Sequence, residues 1–244
     1  MFFPSPNKLN DPHDCKVPIL YENGTMEEIF NKNLEYLKYT DPHMTIEERK
    51  KKSECIAKNI YANRNDPIRR EESRKGIIGI VNKTIGILSL SVVSNHPLMW
   101  SNYSDKQSGF CVGFDTQKLQ KFIDEVFLKG IRILHNYVDY YSEMPGINPY
   151  KMSYEKIYKT MVFSKLSPWA YEEEYRLMCA DRPDFVLTLD SNIISRVSLG
   201  PKCTQDNKLK VIEILRSRGD KVLLFQAFHK YFEHEIAFKK IEYE

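Results

Sequence analysis

A chain of 244 residues with 42% hydrophobic and 28% charged residues has the makeup of a folded globular protein and is long enough to bury a sizeable core. Its fifteen Tyr and thirteen Phe exclude a disordered chain, and a net charge of +3 is too small to argue for nucleic-acid binding by itself. Five cysteines (Cys15, Cys55, Cys111, Cys179 and Cys203) are odd in number and show no metal-knuckle spacing. The expectation is reduced thiols in a cytoplasmic protein that holds no metal. The sequence shows no leader pattern, no apolar run of membrane-spanning length and no lipidation motif.

In chain order, the opening MFFPSPNKLNDPHDC puts Phe2 and Phe3 at the end of a strand, and Pro4, Pro6 and Pro12 then force an extended, turning path. A strand end with nothing before it predicts that an upstream element is missing. Thr25-Met26-Glu27-Glu28 has the capping-box pattern, followed by Met26, Ile29, Phe30, Leu34 and Leu37 at helical spacing. Thr45-Ile46-Glu47-Glu48 repeats the signal and opens a second helix toward Tyr61. The charged stretch from Asn63 to Lys75 reads as a loop or short helix. Together with Arg49 to Lys52 it forms a local basic bias, either a solvated helix face or a patch for phosphate or nucleic acid.

Strand character starts near Ile77. Ile77 to Val81 and Thr84 to Leu90 flank Asn82-Lys83, which predicts a hairpin. Phe110 to Phe114 is a strand, Leu119 to Leu128 a helix and Ile131 to Tyr141 a strand, while Tyr154 to Ser164 fits either. Tyr175 to Ala180, Phe185 to Leu189 and Ile194 to Leu199 read as strands. Lys208 to Ser217 reads as a helix stopped by Gly219, and Lys221 to Phe225 and Ile236 to Ile241 as closing strands. Helices gather in the N-terminal third and strands dominate later. The expected fold is therefore α+β, a single domain over residues 1–244 whose mixed, mostly antiparallel sheet, whole or split, is flanked by helices.

Three segments could carry chemistry. Alternation along a strand puts Ser89 and Ser91 on one face, where two hydroxyls need partners, either backbone or a polar ligand. If Trp169 to Leu177 enters a strand, Glu172, Glu174 and Arg176 share a face and Glu173 takes the other. Two carboxylates and a guanidinium are costly to bury unless paired. They make either an exposed Glu–Arg edge or a carboxylate site that stabilises positive charge on a sugar. Asn10 sits in a turn beside Asp11 and Pro12. With the aromatic Phe3 it is a candidate for holding a flat ring or a ribose, and Trp100 and Tyr103 are expected near Trp169 to Arg176 in one pocket. Gly200-Pro201-Lys202, between strand and helix, is a weak phosphate-site candidate. His13 with Asp14, and His96 alone, lack the partners a metal needs.

These segments resemble a bacterial family known as domain of unknown function twenty-nine seventy-one. FFPSPNKLNDPHDC resembles its FxSPxxxNDPFDC, and GILSLSVVSNHPLMWSNYSDKQSGFCVGF resembles GVLSLSE…LMWSHYADxHxGFCIGF. WAYEEEYRL resembles WxYExEYRL, and ISRVSLGPKCT resembles IxxVxLGPKxS. The chain departs at Asn102, where the family has His, and at His13, where it often has Phe. The resemblance also implies a strand and helix upstream of Phe2. At greater distance the chain resembles ADP-ribosyltransferases of the Arg-Ser-Glu class, which use an early basic strand, a Ser-x-Ser strand and a Glu-x-Glu strand in that order. Ser89-Leu90-Ser91 and Glu172-Glu173-Glu174 match the last two. That resemblance implies NAD as co-substrate and a macromolecular acceptor, protein or nucleic acid, as partner, in the role of a toxin or phage-defence protein. It puts Ser89, Ser91, Trp100, Tyr103, Asn10 and Arg176 around NAD. Glu174 would hold the ribose and stabilise an oxocarbenium ion, and Glu172 would act on the acceptor. A nucleic-acid-binding or nuclease-like defence module, or a non-catalytic interaction protein, is the alternative.

Overall fold

The computed structural model describes residues 1–219, 221–230 and 232–243. The chain runs through β1 (Phe2–Phe3), α1 (Met26–Thr40), α2 (Ile46–Asn63), α3 (Pro67–Thr84), β2 (Ile85–Ser91), α4 (Pro97–Tyr103) and β3 (Phe110–Phe114). It continues through α5 (Thr116–Leu128), β4 (Ile133–Tyr137), β5 (Asp139–Tyr141), α6 (Tyr154–Phe163), β6 (Ser164–Leu166), β7 (Glu174–Ala180) and β8 (Phe185–Val186). It closes with β9 (Ile194–Leu199), α7 (Gln205–Ser217), β10 (Leu223–Lys230) and β11 (Glu235–Ile241).

Both capping boxes form. Thr25 and Thr45 accept from the backbone N–H of Glu28 and Glu48, whose carboxylates return to the cap N–H groups. The fold is α+β. Its β structure is split mainly between an antiparallel three-stranded sheet, β2-β7-β4, and a mixed four-stranded sheet, β11-β10-β9-β3. In the second sheet only the β9–β10 pair is parallel, joined through α7. β1 pairs with β8 and lies against β2, where Ile87 N–H donates to Pro4 O at 2.8 Å. Gly86 permits this approach, since a Cβ there would sit 2.6 Å from Phe3 O.

The three-stranded sheet separates two cores. On one face Leu177 and Cys179 pack with Leu119, Phe122, Ile123 and Val126 of α5. On the other, Ile87 and Met178 pack with Val81 of α3 and with Met161, Val162 and Phe163 of α6. The expected hairpin at Asn82-Lys83 is not formed, because α3 continues to Thr84. Asp66 accepts from the N–H groups of Ile68 and Arg69, and Pro67 occupies the first helical position. Ile77 and Val81 then meet the core at helical spacing, and that packing overrides the strand preference of their β-branched side chains.

Other boundaries also move. The expected strand from Ile131 to Tyr141 divides into β4 and β5, and Tyr154 to Ser164 resolves as α6 followed at once by β6. The last helix stops at Arg218 with ordinary negative φ, so Gly219 is not a left-handed cap. Half of the basic residues of α2 and α3 face carboxylates: Lys52 meets Asp41, Lys58 meets Glu54, Arg70 meets Glu22, and Arg74 and Lys75 meet Glu71. No helix among the described residues is long and apolar enough to cross a membrane.

Candidate functional site

Trp169 to Leu177 is not one continuous strand. Ser167–Glu172 winds as a 3-10 turn, Glu173 takes a left-handed conformation at φ 41°, and β7 starts only at Glu174. The kink achieves what simple alternation was expected to give. Glu172 and Glu174 both turn inward while the Glu173 side chain is exposed. Ser91 latches the turn, its hydroxyl donating to Glu172 O at 2.7 Å or to Val93 O at 3.0 Å. On the other side Glu174 N–H donates to Tyr140 Oη at 2.9 Å.

Five charged side chains meet beneath the surface. Arg176 is 0% exposed, Glu172 1%, Glu174 and Lys165 4% each, and Asp14 6%. Lys165, from β6, donates to Glu172 Oε2 and Glu174 Oε1, both at 2.5 Å, so one ammonium bridges the two carboxylates. Arg176 donates through Nε to Glu174 Oε2 at 2.6 Å and through Nη1 to Val162 O at 2.7 Å. Its Nη2 reaches Asp14 Oδ1 at 2.9 Å and Oδ2 at 3.0 Å. Tyr103 supplies the outer connection, donating to Glu172 Oε1 at 2.5 Å and accepting from Asn10 Nδ2 at 3.0 Å. Tyr103 is half-exposed, so the chain Asn10–Tyr103–Glu172 links the buried cluster to the surface.

The environments drive the two glutamates apart. For Glu172, burial and the neighbouring Glu174 outweigh the bonds from Lys165 and Tyr103, and its carboxyl is pushed above the usual range. Burial would raise Glu174 as well, but the bonds and charge of Arg176 win and hold it down at about 2. Burial also outweighs Arg176 at Asp14, whose carboxyl is pushed up. Lys165 is pushed up because its carboxylate partners outweigh its own burial, so it stays an ammonium. Burial, then the bond to Glu172, keeps the Tyr103 phenol protonated.

An unusual turn holds Tyr103 in place. After α4, Asp105, Lys106 and Gln107 are all left-handed, at φ 48°, 52° and 77°. Such a run is costly for residues with a Cβ, and local bonds fix it. Gly109 N–H donates to Ser104 O at 2.7 Å, Lys202 N–H to Gln107 O at 2.9 Å and Gly200 N–H to Gly109 O at 2.8 Å. A Cβ on Gly200 would fall 2.2 Å from Gln107 O. Gly200-Pro201-Lys202 thus clamps this turn, and α7 begins later, at Gln205, which replaces the phosphate reading of that segment.

Of the residues singled out from sequence, Glu172, Glu174, Arg176, Tyr103 and Asn10 share one bonded network. Ser89 lies directly opposite Arg176 and Ser91 opposite Glu174 in the β2–β7 ladder, and Ser89 is exposed. Trp100 goes elsewhere. It is buried against Ala227, Ile236 and Phe238 and donates from Nε1 to Ser94 O at 2.7 Å. Trp100 and Tyr103, three positions apart and neighbours along α4, are put to different uses, one in the core and one at the cluster. His96 stacks on Tyr171, their ring centroids 5.2 Å apart. Lys165, Asp14 and Tyr140 were missed as members. A lone Lys in SKLS carries no pattern, and Asp14 was weighed only as a metal ligand beside His13, which is exposed. Among the described residues no group of three or more His, Cys, Asp or Glu is arranged to hold a metal.

Residues 99–177, which run from α4 to the middle of β7, match the family model described as "Protein of unknown function (DUF2971)". No curated protein and no solved structure matches the chain.

Proposed function

We propose that this protein, whose residues 99–177 match the DUF2971 family model, is an ADP-ribosyltransferase-like enzyme that uses NAD to modify a macromolecular acceptor, as a toxin or phage-defence protein would. The observation that carries the reading is the divergence of two adjoining carboxyls, Glu172 raised and Glu174 lowered, across one lysine. Environments that push paired carboxyls apart divide acid–base work from electrostatic work. Adjacency adds support: β2, which carries the Ser-x-Ser pair, is the direct neighbour of β7, so Ser89 lies opposite Arg176 and Ser91 opposite Glu174.

NAD supplies a ribosyl group with nicotinamide as the leaving group, and its departure with the bonding pair leaves positive charge on the sugar. Glu174, fixed in its ionised state by Arg176, is suited to stabilising that charge. Glu172, made more basic by burial, is suited to taking the proton of the attacking acceptor and passing it toward solvent near Tyr103. The exposed Ser89 hydroxyl, opposite Arg176, and the half-exposed Tyr103 are the polar groups available to a ribose at the surface. Titrating the protein with NAD in a calorimeter tests the reading. Saturable binding that Tyr103→Ala weakens about tenfold is expected, and no binding by the intact chain refutes the assignment.

One observation favours a second reading. The two glutamates, Asp14 and both cations are already mutually bonded and almost closed to solvent. A network so complete would also serve purely to lock β6, β7 and the N-terminal loop together. On that reading Glu172→Gln alters melting and nothing else.

A further inference from the structure

A cavity of about 410 Å3 opens beside the cluster, in the size range of small-molecule sites. The loop from Asp11 to Ile19, α3, Met144 and the α6–β6 junction enclose it. Its walls are mainly apolar, formed by Val17, Ile19, Ile78, Met144 and Met161. Ile19 and Met161 are at most 2% exposed, so one side of the cavity is the core itself. Two of the wall residues are methionines, whose unbranched thioethers fit occupants of varied shape. The inner end is polar and fully built: Asp14, Ser164 and Lys165 are all buried and all line it.

The rim carries a different chemistry. Lys16 and Arg74 both line the cavity. Lys16 Nζ donates to the carbonyl of Pro12 at 2.6 Å and has no carboxylate partner among the described residues. Arg74 meets Glu71 only at 3.6 Å, on exposed surface. The acidic rim residue, Asp11, turns Oδ1 to its own loop, accepting from His13 N–H at 2.8 Å. Two weakly compensated cations therefore stand over an apolar hollow. That is the arrangement a ligand with an apolar body and an anionic head requires, since the head keeps a charge partner while the body leaves water.

We propose that this cavity binds a small anionic amphiphile, with a ring or short aliphatic body among Ile78, Met144 and Met161 and a carboxylate, phosphate or sulfonate head at Lys16 and Arg74. The site stands apart from the NAD reading, because it requires no chemistry at Glu172 or Glu174. Its occupant nonetheless touches Asp14 and Lys165, so binding and the cluster are coupled through shared side chains.

The test uses the intact protein and an aromatic sulfonate, 8-anilinonaphthalene-1-sulfonate, followed by its fluorescence. One saturable site is expected, with N-phenyl-1-naphthylamine, which lacks the charge, binding at least tenfold more weakly. Ile78→Trp fills the hollow, and the double variant Lys16→Glu with Arg74→Glu reverses the rim. Each is expected to weaken the sulfonate at least tenfold. The rim substitutions lie on the surface, so retained far-ultraviolet dichroism and melting temperature separate lost binding from lost folding. Absence of a saturable site in the wild type, equal affinity for the uncharged probe, or unchanged affinity in a folded rim variant each overturns the proposal.

Discussion

The helices α2 and α3 and the strand β7 carry the same kinds of charged side chain and use them in opposite ways. On the helices, Lys58 and Glu54 meet at 2.7 Å with both side chains more than half exposed, and Arg74 and Glu71 meet at 3.6 Å. Pairs of this kind contribute about 0–1 kcal/mol each, because water and salt screen them and two long side chains lose freedom. On β7 and its neighbours the charges are shut away from water, and each group depends on the others. The dense run of basic residues that stands out in the sequence is therefore energetically shallow. The sparse set of Asp14, Lys165, Glu172, Glu174 and Arg176 is where charge matters.

The largest effect should come from Arg176→Ala. It leaves Asp14 and Glu174 without their guanidinium in the interior and should cost about 3–5 kcal/mol, measured by urea unfolding at neutral pH. A loss below about 1 kcal/mol would put β7 in the same class as the helices and break the contrast.

Glu174→Gln sharpens the contrast through pH. Its carboxyl is lowered from 4.5 to about 2, so it adds stability that is present above pH 4.5 and is lost as pH falls toward 2. The difference in stability between wild type and variant should be on the order of 3 kcal/mol at pH 6 and should shrink across that window. Glu172 and Asp14 have the opposite sign. Their carboxyls are raised, so their contributions are complete at low pH and fade as pH rises through the folded values. Glu172→Gln should accordingly leave stability at pH 6 unchanged or slightly improved. A thermal-melt series from pH 2.5 to 7 on both variants reads the two opposite slopes.

A third variant tests the clamp on Tyr103. Gly200→Ala puts a methyl against the backbone of Gln107 and Gly109, which cannot move freely. It should cost about 1–3 kcal/mol. It should also loosen the Tyr103–Glu172 bond, visible as altered tyrosine fluorescence. At the far end of the scale, Lys58→Ala on α2 should shift unfolding by no more than about 0.5 kcal/mol, and that shift should vanish in high salt. A larger effect would mean the helical pairs are more than solvated surface.

Local rules made much of the fold legible. The capping boxes at Thr25 and Thr45 and the strands near Phe110, Tyr175 and Ile194 follow from side-chain pattern within a few residues. The failure at Asn82-Lys83 has a definite cause. Ile77 to Val81 satisfies helix and strand patterns equally, and only the surrounding core selects between them.

The candidate site was half legible. Glu172, Glu174 and Arg176 were found because they crowd one short segment, although the alternation argument assumed a strand where a left-handed Glu173 provides the turn. Lys165 and Asp14 were not found. Asp14 meets Arg176 from 162 positions away, which no local spacing reveals, and Lys165 meets Glu172 and Glu174 only because the 3-10 turn from Ser167 to Glu172 folds the chain back on itself. Trp100 illustrates the converse, since its place in an attractive aromatic motif says nothing of its burial behind β10 and β11.

The most direct test of the account is transfer of the ADP-ribosyl group from NAD to an acceptor by three proteins of equal melting behaviour: the wild type, Glu172→Gln and Glu173→Gln. Each is assayed with a whole-cell extract as the source of acceptor. The cluster account predicts transfer by the wild type, a loss of at least a hundredfold in Glu172→Gln, and wild-type rates in Glu173→Gln, whose side chain is exposed. No transfer by the wild type, or equal rates in all three, would contradict it.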